Sequence, residues 1–235
     1  MIGITERGDA ALQLDWQDWV DAKKPAILIT KNPEKLLRHI SSRDNIIVHC
    51  TITGYGGTAI EPNVPPPERT IEAYDNMIDM LGKERVVLRV DPIICTTKGI
   101  RTAIQMVKQH RNTRVRISFL DCYAHVIQRF AQAGLPIPSD SFHFPLERRT
   151  ATYEILQEIT PIQICGEPGM PCIGCVSEID CNVLGVKPVS YTGHQRKYCR
   201  CLAMKKELLS IDILPSLRFA IGKGFPRMAI NALIG

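Results

Sequence analysis

Apolar, often β-branched runs alternate along this chain with segments whose apolar residues recur at helical spacing. Four of the runs are almost continuously apolar, as parallel strands covered on both faces are. These predicted strands lie at residues 26–30, 45–53, 86–93 and 114–121. The amphipathic segments that follow them predict helices at residues 32–40, 66–82, 96–110 and 122–134. Asn32 and Pro33 suit the start of the first helix, and Gly82 suits the end of the second.

Further β-then-α pairs extend this pattern toward both ends of the chain. Residues 2–8 and 14–21 form one such pair, and residues 141–145 and 148–159 form another. A seventh strand is predicted near Ile162–Ile164. Repeated βα units of about 30 residues are typical of parallel α/β architecture. We therefore predict an α/β fold with a partial or full (β/α) barrel, and a doubly wound open sheet is the alternative.

The alternating pattern stops near residue 160. Glycine, proline and cysteine dominate from there to about residue 201, and a short helix is predicted over residues 201–209. We accordingly divide the chain into a barrel domain at 1–160, a cysteine-rich metal-binding segment at 161–209 and an apolar tail at 210–235. The tail shows no clear period, and we expect it to be non-native or disordered.

Polar residues recur where the predicted strands end. In a (β/α) barrel the chemistry gathers at these carboxyl ends. The candidate catalytic residues of a shared cavity are Glu6, Arg7, Lys31, Arg89, Asp91 and Asp121. Arg89 and Asp91 are two residues apart, so their side chains point to the same side of the strand and need partners or a polar cavity. A structural ion pair between these two is the alternative.

The stretch TGYGG follows the third predicted strand. Its candidate cofactor-binding residues are Thr53, Gly54, Gly56 and Gly57, because a backbone without side chains allows a cofactor to approach closely. The stretch lacks the spacing of a dinucleotide fingerprint, and taken alone it is a turn.

Five of the nine cysteines lie within 37 residues, at Cys165, Cys172, Cys175, Cys199 and Cys201. The spacing Cys172-x2-Cys175 allows both sulfurs to reach one metal centre, and Cys165, Cys199 and Cys201 supply further thiolates. Any four of them could complete a tetrahedral zinc site or a [4Fe–4S] cluster, and the spacing does not separate the two. The remaining cysteines are predicted to be small buried apolar residues or bystanders.

The compartment and the charge bear on the type of partner. The N-terminus is charged where a signal peptide would be apolar, and no run reaches the ~18 apolar residues of a membrane helix. We therefore expect a cytoplasmic protein with reduced thiols. From Gly185 onward the chain has nine Lys and Arg but only two acidic residues, Glu207 and Asp212, so this part has a net charge of +7. The first 184 residues have a net charge of −2, which gives the total of +5. Such a basic region could face nucleic acid or an anionic cofactor, or it could be a solvated helix surface.

Several stretches resemble a known family. They are TGYGGTAIEPNVPP (53–66), GKERVVLRVDPI (82–93), ISFLDCYAHV (117–126) and HQRKYCRC (194–201). A fifth stretch, ITERGD (4–9), looks like a variant of the arginine-rich strand end found near the N-terminus in that family. Over roughly residues 1–209 the chain is similar to the DUF1848-type family of bacterial and phage proteins, which is linked to the radical-SAM enzymes. The resemblance implies a radical-SAM-like barrel with a C-terminal cysteine cluster, a [4Fe–4S] cofactor and S-adenosylmethionine. It also implies a final three-cysteine motif, yet no cysteine follows Cys201.

These observations leave three functions to compare. The first is a radical-SAM-like iron–sulfur protein with an unknown substrate, lacking the motif for the SAM-cleaving cluster. The second is a zinc-bound module that binds nucleic acid or protein. The third is a degenerate barrel with a structural metal site.

Overall fold

Seven parallel strands form one sheet in the computed structural model, which describes residues 1–110, 113–190 and 199–209. The strands are β1 Ile2–Ile4, β2 Ala26–Thr30, β3 Ile46–Thr51, β4 Val86–Ile93, β5 Arg114–Phe119, β6 Ile162–Ile164 and β7 Lys205–Glu207. Their order is β6-β5-β4-β3-β2-β1-β7, and every neighbouring pair is parallel. The predicted α/β fold is therefore confirmed. Strands β1 to β6 are adjacent in chain order, unlike those of a doubly wound sheet, whose order reverses.

The two edges of this sheet are β6 and β7. No backbone pairing joins them within the described ranges, so closure into a barrel stays a prediction. Both strands come from residues beyond 160, so the cysteine-rich segment contributes to the same sheet as β1–β5.

Helices follow most of the strands. They are α1 Gln17–Asp21, α2 Pro33–Leu37, α3 Pro67–Leu81, α4 Thr97–Gln109, α5 Ala124–Gln132, α6 Leu146–Gln157 and α7 Glu178–Val183, with a 3₁₀ turn at Lys83–Arg85. Asn32 caps α2 as predicted, since its side chain accepts a hydrogen bond from the backbone N–H of Lys35 at 3.0 Å. Gly82 ends α3 with φ of 84°, a conformation that glycine adopts at little cost.

Each face of the sheet is buried against a different part of the chain. On the helix face, Leu28, Val48 and Leu88 pack with side chains of the surrounding helices. On the other face, which we call the segment face, Ile27 and Ile47 of the central strands pack with side chains of the cysteine-rich segment, namely Cys175, Val176, Cys181, Cys199, Cys201 and Ala203. Burial on both sides explains why the strands read as continuous apolar runs.

Two predicted elements are wrong. Residues 141–145 form no strand; their loop packs beside the start of α5, where the Cys122 N–H donates to the Phe142 carbonyl at 2.7 Å. Residues 201–209 form no helix but contain β7, which pairs with β1. The charges of this stretch resemble a solvated helix surface, yet Lys205 and Lys206 lie on opposite sides of a strand.

Three further predictions concern the C-terminal tail, membrane-spanning helices and the cellular location. The predicted apolar tail at 210–235 lies outside the described residues. Within the described ranges, no helix combines the length and the apolar character needed to cross a membrane. A cytoplasmic location stays a prediction.

Candidate metal centre

Four of the five predicted cysteine ligands lie in a row of thiol contacts. Cys175 Sγ is 3.5 Å from Cys201 Sγ, which is in turn 3.3 Å from Cys199 Sγ. The Cys165 thiol lies near Cys175, close enough for each thiol to shift the pKa of the other. We call Cys165, Cys175, Cys199 and Cys201 the thiol row. It lies on the segment face, and three of its members are buried.

The thiol row draws residues from both edges of the sheet. Cys165 directly follows edge strand β6, and its N–H donates to the Ile117 carbonyl at 3.0 Å. Cys199 and Cys201 shortly precede edge strand β7. Cys175 lies between them, in contact with the Cys201 thiol and near the Cys165 thiol. The row therefore connects the two strands that the hydrogen bonds of the sheet leave apart.

A glycine turn holds Cys175 beside Cys201. Gly174 has φ of +77°, and a Cβ atom at this position would stand 2.6 Å from the backbone nitrogen of Cys201. Just beyond it, the Leu202 N–H donates to the Val176 carbonyl at 3.0 Å. The close approach of these two backbone stretches requires glycine at position 174.

Cys172 forms its hydrogen bonds with the backbone and not with the thiol row. Its sulfur accepts a hydrogen bond from the Glu167 N–H at 3.0 Å and donates to the Glu167 carbonyl at 3.1 Å. The spacing Cys172-x2-Cys175 made these two the natural ligand pair, but the loop directs the Cys172 thiol to its own backbone.

The donor set suits a single ion better than a four-iron cluster. Tetrahedral zinc with Zn–S bonds of about 2.3 Å places its sulfurs about 3.8 Å apart. The two measured sulfur separations of 3.3 and 3.5 Å need little change to reach that value. In a [4Fe–4S] cluster each thiolate binds a different iron, so the sulfurs must lie much farther apart. Within the described ranges, no three His, Cys, Asp or Glu side chains form a ready-made metal site, so binding would rearrange the thiols around the ion.

Most thiols of the row favour their protonated form. The hydrogen bond with Cys175 and burial raise the pKa of Cys165. For Cys175, the hydrogen bond with Cys165 lowers the pKa, but the bond with Cys201 and burial outweigh it, and the net shift is upward. The hydrogen bond with Cys201 lowers the pKa of Cys199 to about 7. A metal that binds here must displace protons, as thiolate sites generally require.

Glu6 and a lysine from β7 adjoin Cys175. Lys205 Nζ lies 2.8 Å from Glu6 Oε2 and 3.6 Å from Cys175 Sγ, and the Cys175 thiol contacts Glu6 Oε1 at 3.4 Å. Glu6 was predicted to be a site residue from its position after the first strand, and the structure brings it to the thiol row.

The Arg89–Asp91 pair lies on the same face. The two side chains form an ion pair, and Ser118 donates to the second oxygen of Asp91. The Arg89 charge acts on Cys165 and Cys175, so it lies near the thiol row. Arg89 and Asp91 therefore form an ion pair that lies near the thiol row, and a catalytic role for them stays a prediction.

A buried ionic network fastens the segment to the sheet. The guanidinium group of Arg116 on β5 contacts Asp180 Oδ2 at 2.9 Å, and Arg114 contacts Asp180 Oδ1 at 2.6 Å. Asp180 belongs to α7 and forms a capping box with Ser177. Burial raises the pKa of Asp180, but Arg116 and its other partners outweigh burial and hold it well below its usual range.

The other predicted site residues belong to different clusters. Lys31 pairs with Glu61, which also accepts a hydrogen bond from Thr53. Asp121 contacts His143 Nδ1 at 2.8 Å. The Arg7 N–H donates to a carboxylate oxygen of Glu207 at 3.1 Å.

The conformation and packing of the backbone by themselves require glycine at the three positions that were predicted to bind a cofactor. Gly54 and Gly57 adopt φ of +83° and +73°, in the left-handed region. A Cβ atom on Gly56 would stand 1.9 Å from the Pro65 carbonyl oxygen. A cofactor role for Thr53 and these glycines stays a prediction.

Sequence reasoning found Glu6 and Arg89 but missed two other charged residues near the thiol row. Arg116 sits in an apolar run, and Lys205 sits in a stretch taken for a helix. The one available signal was the capping pattern from Ser177 to Asp180, which marks the start of α7 but not its ion pairs. Five of the nine basic residues of the C-terminal quarter lie in 191–198 and 210–235, outside the described residues, so its predicted partners stay untested.

Comparison with known proteins identifies the family of this chain. A search of curated proteins gives no match. The family model described as "Domain of unknown function (DUF1848)" matches residues 19–207, which is well over half of the chain. The match spans β2 to β7 and all four members of the thiol row. The chain therefore belongs to the DUF1848 family.

Proposed function

We propose that this chain is a metal-binding protein in which Cys165, Cys175, Cys199 and Cys201 hold one metal ion. The observation that carries the proposal is the row of neighbouring thiols assembled from residues that are up to 36 positions apart, with two measured sulfur contacts among them. In a reducing compartment, neighbouring buried cysteines from separate stretches are more easily explained by a metal than by disulfides.

Zinc is the ion that this donor set supports best. The sulfur separations suit one tetrahedral centre, and thiolate is a preferred ligand of zinc. Four protein ligands leave no open coordination position, which is typical of structural rather than catalytic zinc sites. The ion would supply folding energy and join the segment that follows β6 to the segment that precedes β7.

Metal analysis of matched variants tests this proposal. The wild-type chain, purified under reducing conditions and loaded with zinc, should retain one equivalent after desalting. Cys175→Ser and Cys201→Ser should each retain much less, whereas Cys172→Ser should retain one equivalent because its thiol bonds to Glu167. Equal retention in all four proteins, or loss only in Cys172→Ser, would contradict the proposed ligand set.

A second candidate is a radical-SAM-like iron–sulfur protein. The sequential order of parallel strands supports it, because that order suits part of a (β/α) barrel. Anaerobic reconstitution with iron and sulfide separates the two proposals. Four iron and four sulfide per chain, with 5′-deoxyadenosine formed from S-adenosylmethionine and dithionite, would favour the second. A colourless protein that excludes iron and sulfide but keeps zinc would favour the first.

A further inference from the structure

We propose that Lys205 is a positioning residue for the metal centre, and that its ammonium group stabilises Cys175 as a metal-bound thiolate. This inference rests on the proposed function, because it assigns a role toward the same four sulfurs. It adds a residue that lies outside the cysteine set and that the sequence does not single out.

The first argument is the burial of the lysine. Its side chain is 5% exposed, although lysine is almost never fully buried without a partner. Glu6 provides one partner at 2.8 Å, and the Cys175 sulfur at 3.6 Å is the second. Since an ammonium group has three donors and no acceptor, a thiolate at that distance is a suitable acceptor.

The second argument is the charge balance of the site. Four thiolates and one divalent cation carry a net charge of 2−, which is costly in a buried place unless cations lie nearby. Glu6 would make the problem worse, because its carboxylate oxygen lies 3.4 Å from the Cys175 sulfur. A metal-bound thiolate has no proton to donate to that carboxylate. Lys205 contacts both groups and offsets their repulsion.

The third argument is the position of Lys205 in the chain. It lies four residues after Cys201, on the strand that pairs with β1. The next residue, Lys206, points away from the segment face, and its Nζ lies 4.9 Å from the centre of the Trp19 ring. Two adjacent lysines on one strand therefore differ in whether they face the thiol row, which makes Lys206 a matched control.

Competition with a chromogenic zinc chelator tests the inference in the full-length chain. Lys205→Met should lower zinc affinity about 10- to 100-fold, the usual effect of removing an outer-shell partner of a metal ligand. Lys205→Arg should restore most of the affinity, and Lys206→Met should bind zinc as tightly as the wild type. A Lys205→Met protein with the affinity of Lys206→Met would overturn the inference.

Glu6→Gln separates an electrostatic role from a merely structural one. If Lys205 acts through its charge on Cys175, removal of the Glu6 charge should leave zinc affinity unchanged or raise it. If the Lys205–Glu6 pair only docks β7, Glu6→Gln should weaken binding as much as Lys205→Met does, which would overturn the inference. If Lys205→Met does not fold, the comparison of Glu6→Gln with the wild type decides the matter, because a tenfold or greater loss of zinc affinity in Glu6→Gln would overturn the inference. Absence of zinc from the wild type would refute the proposed function itself, whereas wild-type binding with insensitivity to Lys205 would refute only this inference.

Discussion

The guanidinium group of Arg116 donates a hydrogen bond to the backbone carbonyl oxygen of Cys175 at 2.8 Å. Arg116 is completely buried and also pairs with Asp180 at 2.9 Å. One side chain in the sheet thus fixes both the backbone of a thiol-row cysteine and the helix that follows it. The position of the candidate metal ligands therefore depends on a buried ion network as well as on the thiols themselves.

Removal of the carboxylate from this network should destabilise the protein strongly. Asp180→Asn leaves the guanidinium groups of Arg114 and Arg116 without a charged partner, and breaking a buried pair in this way costs about 3–5 kcal/mol. Urea unfolding at neutral pH measures the loss. Glu178→Gln is the control, because Glu178 is exposed on the same helix and should change stability by no more than about 0.5 kcal/mol. A similar, small effect in both variants would contradict the account.

The same pair predicts a pH dependence. The pKa of Asp180 in the folded protein lies below its usual range because its arginine partners outweigh the effect of burial. Its contribution to stability is therefore complete above the unfolded-state pKa of about 3.9 and is lost as the pH falls through the lower, folded-state pKa. Unfolding measured from pH 8 to pH 2 should show a constant gap between wild type and Asp180→Asn down to about pH 4. A gap that closes already between pH 7 and pH 5 would refute this assignment.

A substitution at Gly174 should disturb the thiol row. An alanine Cβ would collide with the backbone of Cys201, at 2.6 Å from its nitrogen, and would separate Cys175 from Cys201. Gly174→Ala should therefore lower zinc affinity by at least about tenfold, the lower end of the range for disturbed metal surroundings. Gly166→Ala is the control, because Gly166 has a similar φ of +69° but open space around it. Equal zinc affinities in the two variants, measured by chelator competition, would speak against the close packing described here.

Metal removal should loosen the edge of the sheet at β7. This strand has three residues and pairs with β1, and the ligands Cys199 and Cys201 lie just before it. Because metal binding and folding are coupled at such sites, a chelator should increase hydrogen exchange at residues 199–209. Amides of the central strand β3, which is paired on both sides, should stay protected. Unchanged exchange at 199–209 after zinc removal would show that the metal does not order this segment.

The sequence was informative where local patterns determine structure. Runs such as Ile46–Thr51 are apolar on both faces because helices cover one face and the segment covers the other, so period and composition were enough to place them. The stretch Lys205–Glu207 carries no such signal, since its charges are paired with groups near the N-terminus. Contacts across about 200 residues cannot be read from local spacing.

The cysteines illustrate the same limit. Their clustering drew attention to the region of the thiol row, and spacing alone grouped Cys172 with Cys175. The turn after Cys165 instead directs Cys172 to the backbone of Glu167. Which thiols meet depends on β6 and β7 being opposite edges of one sheet, and this is a property of the tertiary fold.

The most direct test of the central claim is X-ray absorption at the zinc edge of the zinc-loaded, full-length protein. The account predicts four sulfur neighbours at about 2.3 Å, with no nitrogen or oxygen in the first shell. The same spectrum should be obtained from Cys172→Ser. A wild-type spectrum with two or more nitrogen or oxygen ligands, or loss of one sulfur in Cys172→Ser, would contradict the assignment of the metal to Cys165, Cys175, Cys199 and Cys201.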